Sequence, residues 1–245
     1  MKQAMIFAAG LGTRLKPLTD HMPKALVEVG GVTLLERVIT NLKAAGMERI
    51  IINVHHFADM IEQFLKDHDN FGTDIRVSDE RSGLLETGGG LKHAAGLFYK
   101  DDTILIHNVD ILSNVDLSAL YKKGSEHDAV LVVSERKTKR YLLFDDEMRL
   151  RGWTNIETGE VKSAFGNINP KDYRMYAFSG IHTFSPALLD KMNEYPDKFG
   201  IIDFYLKACA EADIRGYVKN DLLLMDVGMA ETIEMATDFL DRLTK

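Results

Sequence analysis

Glycines and cations are concentrated near the N-terminus, directly after the first apolar stretch of the chain. Residues 8–19 read AAGLGTRLKPLT, with glycines at positions 10 and 12. Glycine lets the backbone bend sharply and approach a ligand closely, and the N–H groups of such a loop form a concave anion site. Positive charge suited to a polyphosphate follows on Arg14, Lys16 and Lys24. The pattern indicates a loop that binds the phosphates of a nucleoside triphosphate.

Two other interpretations of this loop remain open from its residues alone. A dinucleotide-binding loop has a third glycine, which would fall at position 15, where the chain has Leu15. A tight turn after a strand, with solvated basic residues, would show the same composition. A P-loop is excluded because no Gly-Lys-Ser/Thr sequence follows the glycines. The choice therefore depends on chemistry elsewhere in the chain.

A second glycine segment, Glu-Thr-Gly-Gly-Gly at residues 86–90, precedes a helix that we predict over 91–97. Successive glycines can serve as a flexible hinge. Alternatively, they leave a flat backbone surface against which a planar base can lie, close to a helix N-terminus. The second interpretation is favoured in a nucleotide-binding fold.

Two aspartates stand where predicted strands end. Asp110 follows the strand predicted over 103–107, and Asp226 follows the one predicted over 222–225. Carboxyl ends of buried parallel strands border the ligand crevice of an open α/β sheet. One or two carboxylates, together with substrate phosphates, are typical ligands of Mg²⁺. The pair predicts a magnesium site, although two unrelated helix caps would also explain it.

The elements that must position these residues alternate between strands and helices. Thr33-x-x-Glu36 is a capping box that begins a helix, and a buried strand is predicted over 49–54. An amphipathic helix over 57–68 and a short strand over 74–78 follow. This β-α-β-α-β order predicts an α/β fold, a Rossmann-like mixed but mostly parallel sheet flanked by helices, with the ligand at the carboxyl ends of its strands.

The middle of the chain does not continue the β-α-β order of the N-terminal part. It is predicted to be an α+β insertion that recognises a second substrate. We assign residues 1–112 and 217–245 to a nucleotide-binding core and residues 113–216 to the insertion. Trp153 is either a packing anchor or a wall for a sugar ring. No hexapeptide repeat is present, so no C-terminal β-helix domain is expected. The predicted elements are a strand over 128–133, a hairpin over 140–153, an extended stretch over 173–184, and helices over 186–194 and 202–212.

Composition excludes several classes of function. The 245 residues carry a net charge of −7, which argues against general nucleic-acid binding. No apolar run approaches the roughly 18 residues that cross a bilayer, and the N-terminal apolar run lacks the features of a signal peptide. The single cysteine, Cys209, fits a reducing compartment. We expect a cytoplasmic protein that binds neither membrane nor nucleic acid; the sequence does not indicate its oligomeric state.

Taken together, four separated motifs resemble those of the sugar-1-phosphate nucleotidylyltransferases. Residues 8–18 with Pro23-Lys24 are similar to the family's G-x-G-T-R-(L/M)-x-P-L-T signature and its following P-K. Residues 86–90 resemble the base-binding glycine segment. Residues 108–110 resemble the N-G-D metal motif, with Val109 in place of glycine, and residues 225–228 the D-x-G metal motif. The motifs occur in the family's order and span nearly the whole chain.

The resemblance implies a fold, a reaction and a set of site residues. The fold is that of the nucleotide-diphospho-sugar transferases. A sugar-1-phosphate oxygen would attack the α-phosphorus of a nucleoside triphosphate, and pyrophosphate would leave. Arg14 would bind the departing phosphates and Lys24 the α-phosphate, as catalytic residues. The other implied residues are Ala8, Ala9, Gly10, Gly12, Thr13, Gly88 and Asn108 for the nucleotide, Ser179 and Gly180 for the sugar, and Asp110 and Asp226 for Mg²⁺.

Within this family the chain is similar to short members that act on N-acetylmuramate 1-phosphate or mannose 1-phosphate. The Glu-Thr-Gly-Gly-Gly segment and residues 178–181 (Phe-Ser-Gly-Ile) favour UTP and an N-acetylated sugar 1-phosphate. Alternatives are GTP with mannose 1-phosphate, CTP with a small phosphate, and a non-catalytic nucleotide-binding homologue. Tyr141 is followed by Leu142 instead of the family's glycine, and no Glu-Lys-Pro segment is present. The sequence therefore does not identify the sugar.

Overall fold

A computed structural model describes residues 1–243. Six α-helices are present in this range: α1 (Leu34–Ala44), α2 (Ala58–Asp67), α3 (Glu86–His93), α4 (Leu117–Gly124), α5 (Ile201–Ala208) and α6 (Ala230–Leu243). The strands in chain order are β1 (Gln3–Phe7), β2 (Glu28–Val29), β3 (Val32–Thr33), β4 (Arg49–Val54), β5 (Asp74–Asp79), β6 (Ile104–Asn108), β7 (Ile111–Ser113), β8 (Ala129–Ser134), β9 (Arg140–Phe144), β10 (Leu150–Asn155), β11 (Glu160–Lys162), β12 (Arg174–Phe184), β13 (Ile214–Val218) and β14 (Leu224–Asp226).

Ten of these strands form one mixed sheet, which confirms the predicted fold class. Strands β6, β1, β4 and β5 lie side by side and are parallel. Strand β12 joins this parallel part by pairing antiparallel with β6, and it also pairs antiparallel with β8 and β9. Strand β13 pairs parallel with β8, while β10 and β11 continue the sheet beyond β9. The parallel strands therefore direct their carboxyl ends towards one edge.

Both faces of the sheet are buried, because successive residues of its central strand contribute to different hydrophobic cores. Ala4 and Ile6 of β1 belong to one core, which α1, α2, α4 and α6 help to form. Met5 and Phe7 belong to the other, which includes residues of α3 and α5. A continuous apolar strand is expected when helices cover a parallel sheet on both sides.

Thr33 caps the N-terminus of α1, which confirms one of the two hydrogen bonds of the predicted capping box. The Thr33 Oγ1 accepts a hydrogen bond from the Glu36 backbone N–H at 3.1 Å. Two predicted helices differ from the observed ones in their bounds or type. The helix predicted over 91–97 begins at Glu86 and includes all three glycines. The helix predicted over 186–194 is a pair of short 3-10 segments, in which the N–H groups of Leu189 and Met192 donate to carbonyls three residues earlier.

The assignment of one part of the chain to a nucleotide-binding core and another to a substrate-recognising insertion stays a prediction. Strands from the predicted insertion, including β8 and β12, belong to the same sheet as those of the predicted core. The hairpin predicted over 140–153 is formed by β9 and β10. Among the described residues 1–243, no helix combines the length and apolarity needed to cross a bilayer.

Candidate active site

A cavity of about 460 Å³ opens at the carboxyl ends of β1, β4 and β6. In the sheet, Phe7 at the end of β1 lies between Asn53 of β4 and Asn108 of β6. The volume of the cavity is in the usual range for a small-molecule site. We call it the first cavity. The residues predicted from the sequence that line it are Ala8, Ala9, Gly10, Gly12, Thr13, Arg14, Lys24, Asn108 and Asp110.

Gly12 is required by the geometry of the loop after β1. Its φ is +62°, in the left-handed region, and its carbonyl accepts hydrogen bonds from Leu15 N–H and from Thr19 Oγ1, both at 2.8 Å. A Cβ at this position would lie 2.9 Å from Thr19 Cγ2 and 3.1 Å from Lys24 Cβ. The glycine therefore lets the loop pack directly against Lys24.

Lys24 brings a buried positive charge to the first cavity. The residue is 8% exposed and begins a short 3-10 segment directly after Pro23. Its Nζ forms an ion pair with Asp110 Oδ2. By contrast, the third predicted cation, Lys16, is exposed and pairs with Asp20 at 2.9 Å. Lys16 does not line the first cavity.

Asp226 lies beside Asp110, although 116 residues separate them in the sequence. Strand β14 pairs antiparallel with β7, so that Asp226 is opposite Ile111, and the Val227 N–H donates to the Asp110 carbonyl at 2.8 Å. Partial desolvation and the neighbouring Asp110 charge raise the pKa of Asp226, while Lys24 and other nearby cations oppose this effect. The two predicted carboxylates therefore belong to one site.

Arg14 reaches the same site across Gly228. A Cβ at position 228 would lie 2.7 Å from Arg14 Nη2 and 2.6 Å from Asp226 Oδ1. The absence of a side chain on Gly228 therefore leaves room for the guanidinium group and the carboxylate, which both lie close to the position that a Cβ would occupy. The structure brings together all four charged groups predicted from the sequence, on Arg14, Lys24, Asp110 and Asp226.

The glycine segment lies behind the cavity lining. Glu86 and Thr87 line the first cavity, and Gly88 does not. All three glycines are buried, and the N–H groups of Gly88 and Gly89 donate to the Phe199 carbonyl at 2.9 and 3.1 Å. A Cβ on Gly88 would overlap the Phe199 ring, and one on Gly89 would overlap the Asp197 carbonyl oxygen. Close packing against residues 197–199 accounts for these two glycines.

We predict that Gly89→Ala destabilises the protein. The new Cβ would overlap the backbone carbonyl of Asp197, which cannot rotate away as a flexible side chain could. Overpacking of this kind costs about 1–3 kcal/mol. Gly96→Ala is the matched control because nothing lies within 4 Å of a Cβ there. Chemical denaturation of both variants checks the prediction, and equal midpoints for the two would contradict it.

A second cavity of about 520 Å³ lies among strands of the predicted insertion. Three cations line it, Arg136, Arg140 and Lys162, together with two carboxylates, Glu160 and Asp203. Lys162 Nζ is 3.6 Å from Asp203 and 3.8 Å from Glu160. The cavity therefore combines charges of both signs, with cations in the majority.

One wall of the second cavity is apolar and aromatic. Trp153 lines it, and Lys162 Nζ lies 5.3 Å from the centre of the Trp153 ring. Phe178 also lines it, and its carbonyl accepts a hydrogen bond from Arg136 Nη2 at 3.0 Å. Trp153 is thus placed where it could contact a ligand as well as pack.

Ser179 and Gly180 lie between the two cavities and line neither. Ser179 is 2% exposed, and its Oγ accepts a hydrogen bond from the Ile181 N–H at 3.4 Å. Gly180 has φ +78°, and a Cβ there would lie 2.6 Å from Asn108 Nδ2. Gly180 therefore lets the chain pass close to the Asn108 side chain, and the sugar-binding role of both residues stays a prediction.

The family model for nucleotidyl transferases matches residues 3–242 of this chain. The chain belongs to this family. It is 34% identical over 239 residues to N-acetylmuramate alpha-1-phosphate uridylyltransferase of Caulobacter vibrioides, a match that covers 93% of this chain and 92% of the relative. It is also 34% identical over 144 residues to mannose-1-phosphate guanyltransferase of Neurospora crassa, which covers 57% of this chain and 39% of that protein. The chain is a sugar-1-phosphate nucleotidyltransferase.

Solved structures share the fold at lower sequence identity. HddC from Yersinia pseudotuberculosis is 22% identical, with a TM-score of 0.76 and coverage of 98% of this chain and 100% of HddC. The inositol-1-phosphate CTP transferase from T. maritima is 17% identical, with a TM-score of 0.77 and coverage of 100% and 97%. These likenesses agree with the mixed sheet described above.

Two polar residues of this nucleotidyltransferase were not predicted from the sequence. Asn53 and Glu80 line the first cavity, yet they are only 2% and 1% exposed. Burial raises the pKa of Glu80, while hydrogen bonds from Asn53 and Leu85 oppose that effect. Asn53 lies near the end of β4 and Glu80 directly after β5. Their position at the carboxyl ends of parallel strands is the signal that identified Asp110, and it could have identified them.

Proposed function

We propose that this nucleotidyltransferase joins UTP and an N-acetylated sugar 1-phosphate, such as N-acetylmuramate 1-phosphate, into a nucleotide sugar and pyrophosphate, with Mg²⁺. The observation that carries the choice of substrates is the 34% identity to a uridylyltransferase over 93% of this chain. The Glu-Thr-Gly-Gly-Gly segment and residues 178–181 point the same way.

The charges of the first cavity suit the attack of one phosphate on another. A sugar-phosphate oxygen forms a bond to the α-phosphorus while the bond to the β-phosphate oxygen breaks, and pyrophosphate leaves. The attacking phosphate is already ionised near neutral pH, so no general base is needed. Catalysis then depends on alignment and on neutralisation of charge. In this proposal Lys24 binds the α-phosphate and Arg14 the departing pyrophosphate.

The donor atoms beside Lys24 fit a magnesium site that substrate completes. Among residues 1–243, no group of three or more histidine, cysteine, aspartate or glutamate side chains is arranged to hold a metal. Asp110 and Asp226 offer two carboxylates in one site, and Mg²⁺ commonly binds one or two carboxylates with waters and phosphate oxygens as further ligands. When bound, the ion would neutralise phosphate charge. Lys24, which now pairs with Asp110, would be released towards the α-phosphate.

We assign the sugar to the second cavity. Its cations Arg136, Arg140 and Lys162 suit an acidic sugar, and Trp153 offers a flat apolar face. Arg136 is one of the cations whose charge opposes the raised pKa of Asp226, so the second cavity lies within electrostatic range of the metal site proposed here. N-acetylmuramate carries a carboxylate on a lactyl ether, which N-acetylglucosamine lacks. The cations give a physical reason for preferring the acidic sugar.

A second candidate is the transfer of a guanylyl group to mannose 1-phosphate. It is supported by the 34% identity to the mannose-1-phosphate guanyltransferase over 57% of this chain, and by the HddC structure complexed with GMP-PN. A neutral sugar would offer no carboxylate to Arg136 and Arg140, whereas Lys162 already lies near Asp203 and Glu160. For that reason the acidic sugar is preferred.

The proposal is tested by measuring pyrophosphate release for each combination of UTP, GTP, CTP and ATP with four sugar 1-phosphates. These are the 1-phosphates of N-acetylmuramate, N-acetylglucosamine, mannose and glucose. We expect the highest kcat/KM for UTP with N-acetylmuramate 1-phosphate, about tenfold or more above N-acetylglucosamine 1-phosphate, because one charged hydrogen bond is lost. Arg140→Ala should reduce that preference. A maximum for GTP with mannose 1-phosphate would support the second candidate instead.

A further inference from the structure

A buried chain of hydrogen bonds connects three segments that border the first cavity. The Ala8 N–H donates to Asn53 Oδ1 at 2.7 Å, and Asn53 Nδ2 donates to Glu80 Oε1 at 2.7 Å. The Leu85 N–H donates to Glu80 Oε2 at 3.3 Å. The chain thus links the start of the loop after β1 to the residue that precedes α3. None of its members is among the charged groups assigned to catalysis.

The direction of each hydrogen bond is fixed by the backbone groups at its two ends. The Ala8 N–H can only donate, so Asn53 must present its oxygen there and its NH₂ group to Glu80. The Leu85 N–H can also only donate. Both oxygens of Glu80 therefore face donors, which suits an ionised carboxylate and no neutral side chain of the same shape.

The third glycine of residues 86–90 is explained by the same chain of hydrogen bonds. A Cβ on Gly90 would lie 2.6 Å from Glu80 Oε1 and 2.9 Å from Asn53 Nδ2. Helix α3 therefore packs its backbone directly on the Asn53–Glu80 pair. Because Thr87 in the first turn of α3 lines the first cavity, the pair supports that wall as well as the Ala8 side.

We propose that Glu80 is a positioning residue for nucleotide binding, whose carboxylate holds the loop after β1 and the start of α3 at a fixed separation through Asn53. This inference rests on the proposed binding of the nucleotide in the first cavity. Glu80 acts through the backbone of Ala8 and Leu85, and it takes no part in the transfer of charge during the reaction.

Single substitutions that keep the size of the side chain should disturb the chain of hydrogen bonds. In Glu80→Gln, the NH₂ group must face either Asn53 Nδ2 or the Leu85 N–H, and one hydrogen bond is lost. In Asn53→Asp, two carboxylates would stand at the 2.7 Å separation that now joins a donor and an acceptor. We expect the nucleotide KM to rise about three- to tenfold in the first variant and about tenfold or more in the second.

The double variant Asn53→Asp/Glu80→Gln reverses the middle hydrogen bond and keeps the same total charge. The introduced aspartate would accept from the Ala8 N–H and from the NH₂ group of the introduced glutamine. The glutamine oxygen would accept from the Leu85 N–H. All three hydrogen bonds are then restored. We expect a nucleotide KM within about twofold of the natural protein, since no bond is missing.

Steady-state kinetics should be measured with the nucleoside triphosphate and sugar 1-phosphate that the natural protein uses best, together with thermal unfolding. We expect the nucleotide KM to change in the single variants while the sugar-phosphate KM stays constant. Unchanged nucleotide KM values in a folded Glu80→Gln variant would overturn the inference. So would a double variant that folds but keeps a raised KM, and this comparison remains available if the single variants do not fold. Absence of turnover in the natural protein would instead refute the proposed function.

Discussion

Lys24→Ala should lower kcat on the order of a hundredfold to a thousandfold, as does loss of a preorganised group that stabilises charge in a transition state. Lys24 is the buried cation of the first cavity, with 8% exposure and an ion pair to Asp110. Buried charge acts through a lower effective dielectric than charge in open solvent, so its removal has a large effect. Measurement of kcat with both substrates saturating tests this directly.

Lys24→Met and Lys191→Ala are the appropriate comparisons. Methionine keeps an unbranched side chain against Gly12 and removes only the charge, so it should lose nearly as much turnover as alanine. Lys191 pairs with Glu211 at 2.6 Å on the exposed surface, and its loss should leave kcat unchanged. Thermal unfolding identifies any loss of stability from leaving Asp110 without its partner. Near-normal kcat in Lys24→Met would refute the role assigned to Lys24.

The affinity for Mg²⁺ distinguishes a phosphate-binding lysine from one that organises the metal site. Lys24 now neutralises Asp110, and a magnesium ion at that carboxylate would compete with it. Removal of the ammonium group should therefore leave the apparent affinity for Mg²⁺ unchanged or increase it, even as kcat falls. A lower apparent affinity for Mg²⁺ in Lys24→Met would mean that the lysine supports metal binding instead.

Asp110 is predictable from the sequence because it follows β6, and the carboxyl ends of strands in a parallel sheet have a fixed location. Asp226, 116 residues later, reaches the same site in a different way, because β14 lies outside the ten-stranded sheet. The structure places them beside each other through the pairing of β7 with β14. Gly12 was likewise predictable, because a glycine between a strand and a cluster of cations indicates a sharp turn.

The role of residues 88–90 was not predictable in the same way. Three glycines indicate close approach of some other group, but sequence does not identify that group. In the structure the groups are Phe199, the Asp197 carbonyl and Asn53, which come from distant parts of the chain, and Glu80, which lies shortly before the segment. Packing against these groups also allows α3 to begin within a segment of low helix propensity. The second cavity was missed for a related reason, since its charges come from separate strands and α5.

Asp226→Asn should lower kcat on the order of a hundredfold to a thousandfold and weaken the apparent affinity for Mg²⁺, because loss of a metal that neutralises phosphate charge costs several kcal/mol. Asparagine keeps one oxygen that can bind a metal, so a higher concentration of Mg²⁺ should restore part of the turnover. The substitution also removes one of two adjacent negative charges. Thermal stability should therefore be maintained or increased, which separates this effect from unfolding.

Asp146→Asn is the matched control for this substitution. Asp146 is almost fully exposed and pairs with Arg174 at 3.1 Å, away from the first cavity. Exposed pairs of this kind contribute about 0–1 kcal/mol, so both turnover and its dependence on Mg²⁺ should match the natural protein. Titration of free Mn²⁺ in the presence of nucleotide gives a binding measurement that is independent of turnover. If Asp226→Asn bound Mn²⁺ as tightly as Asp146→Asn, then Asp226 would not be a metal ligand, and Asp110 alone would have to hold the ion with the phosphates.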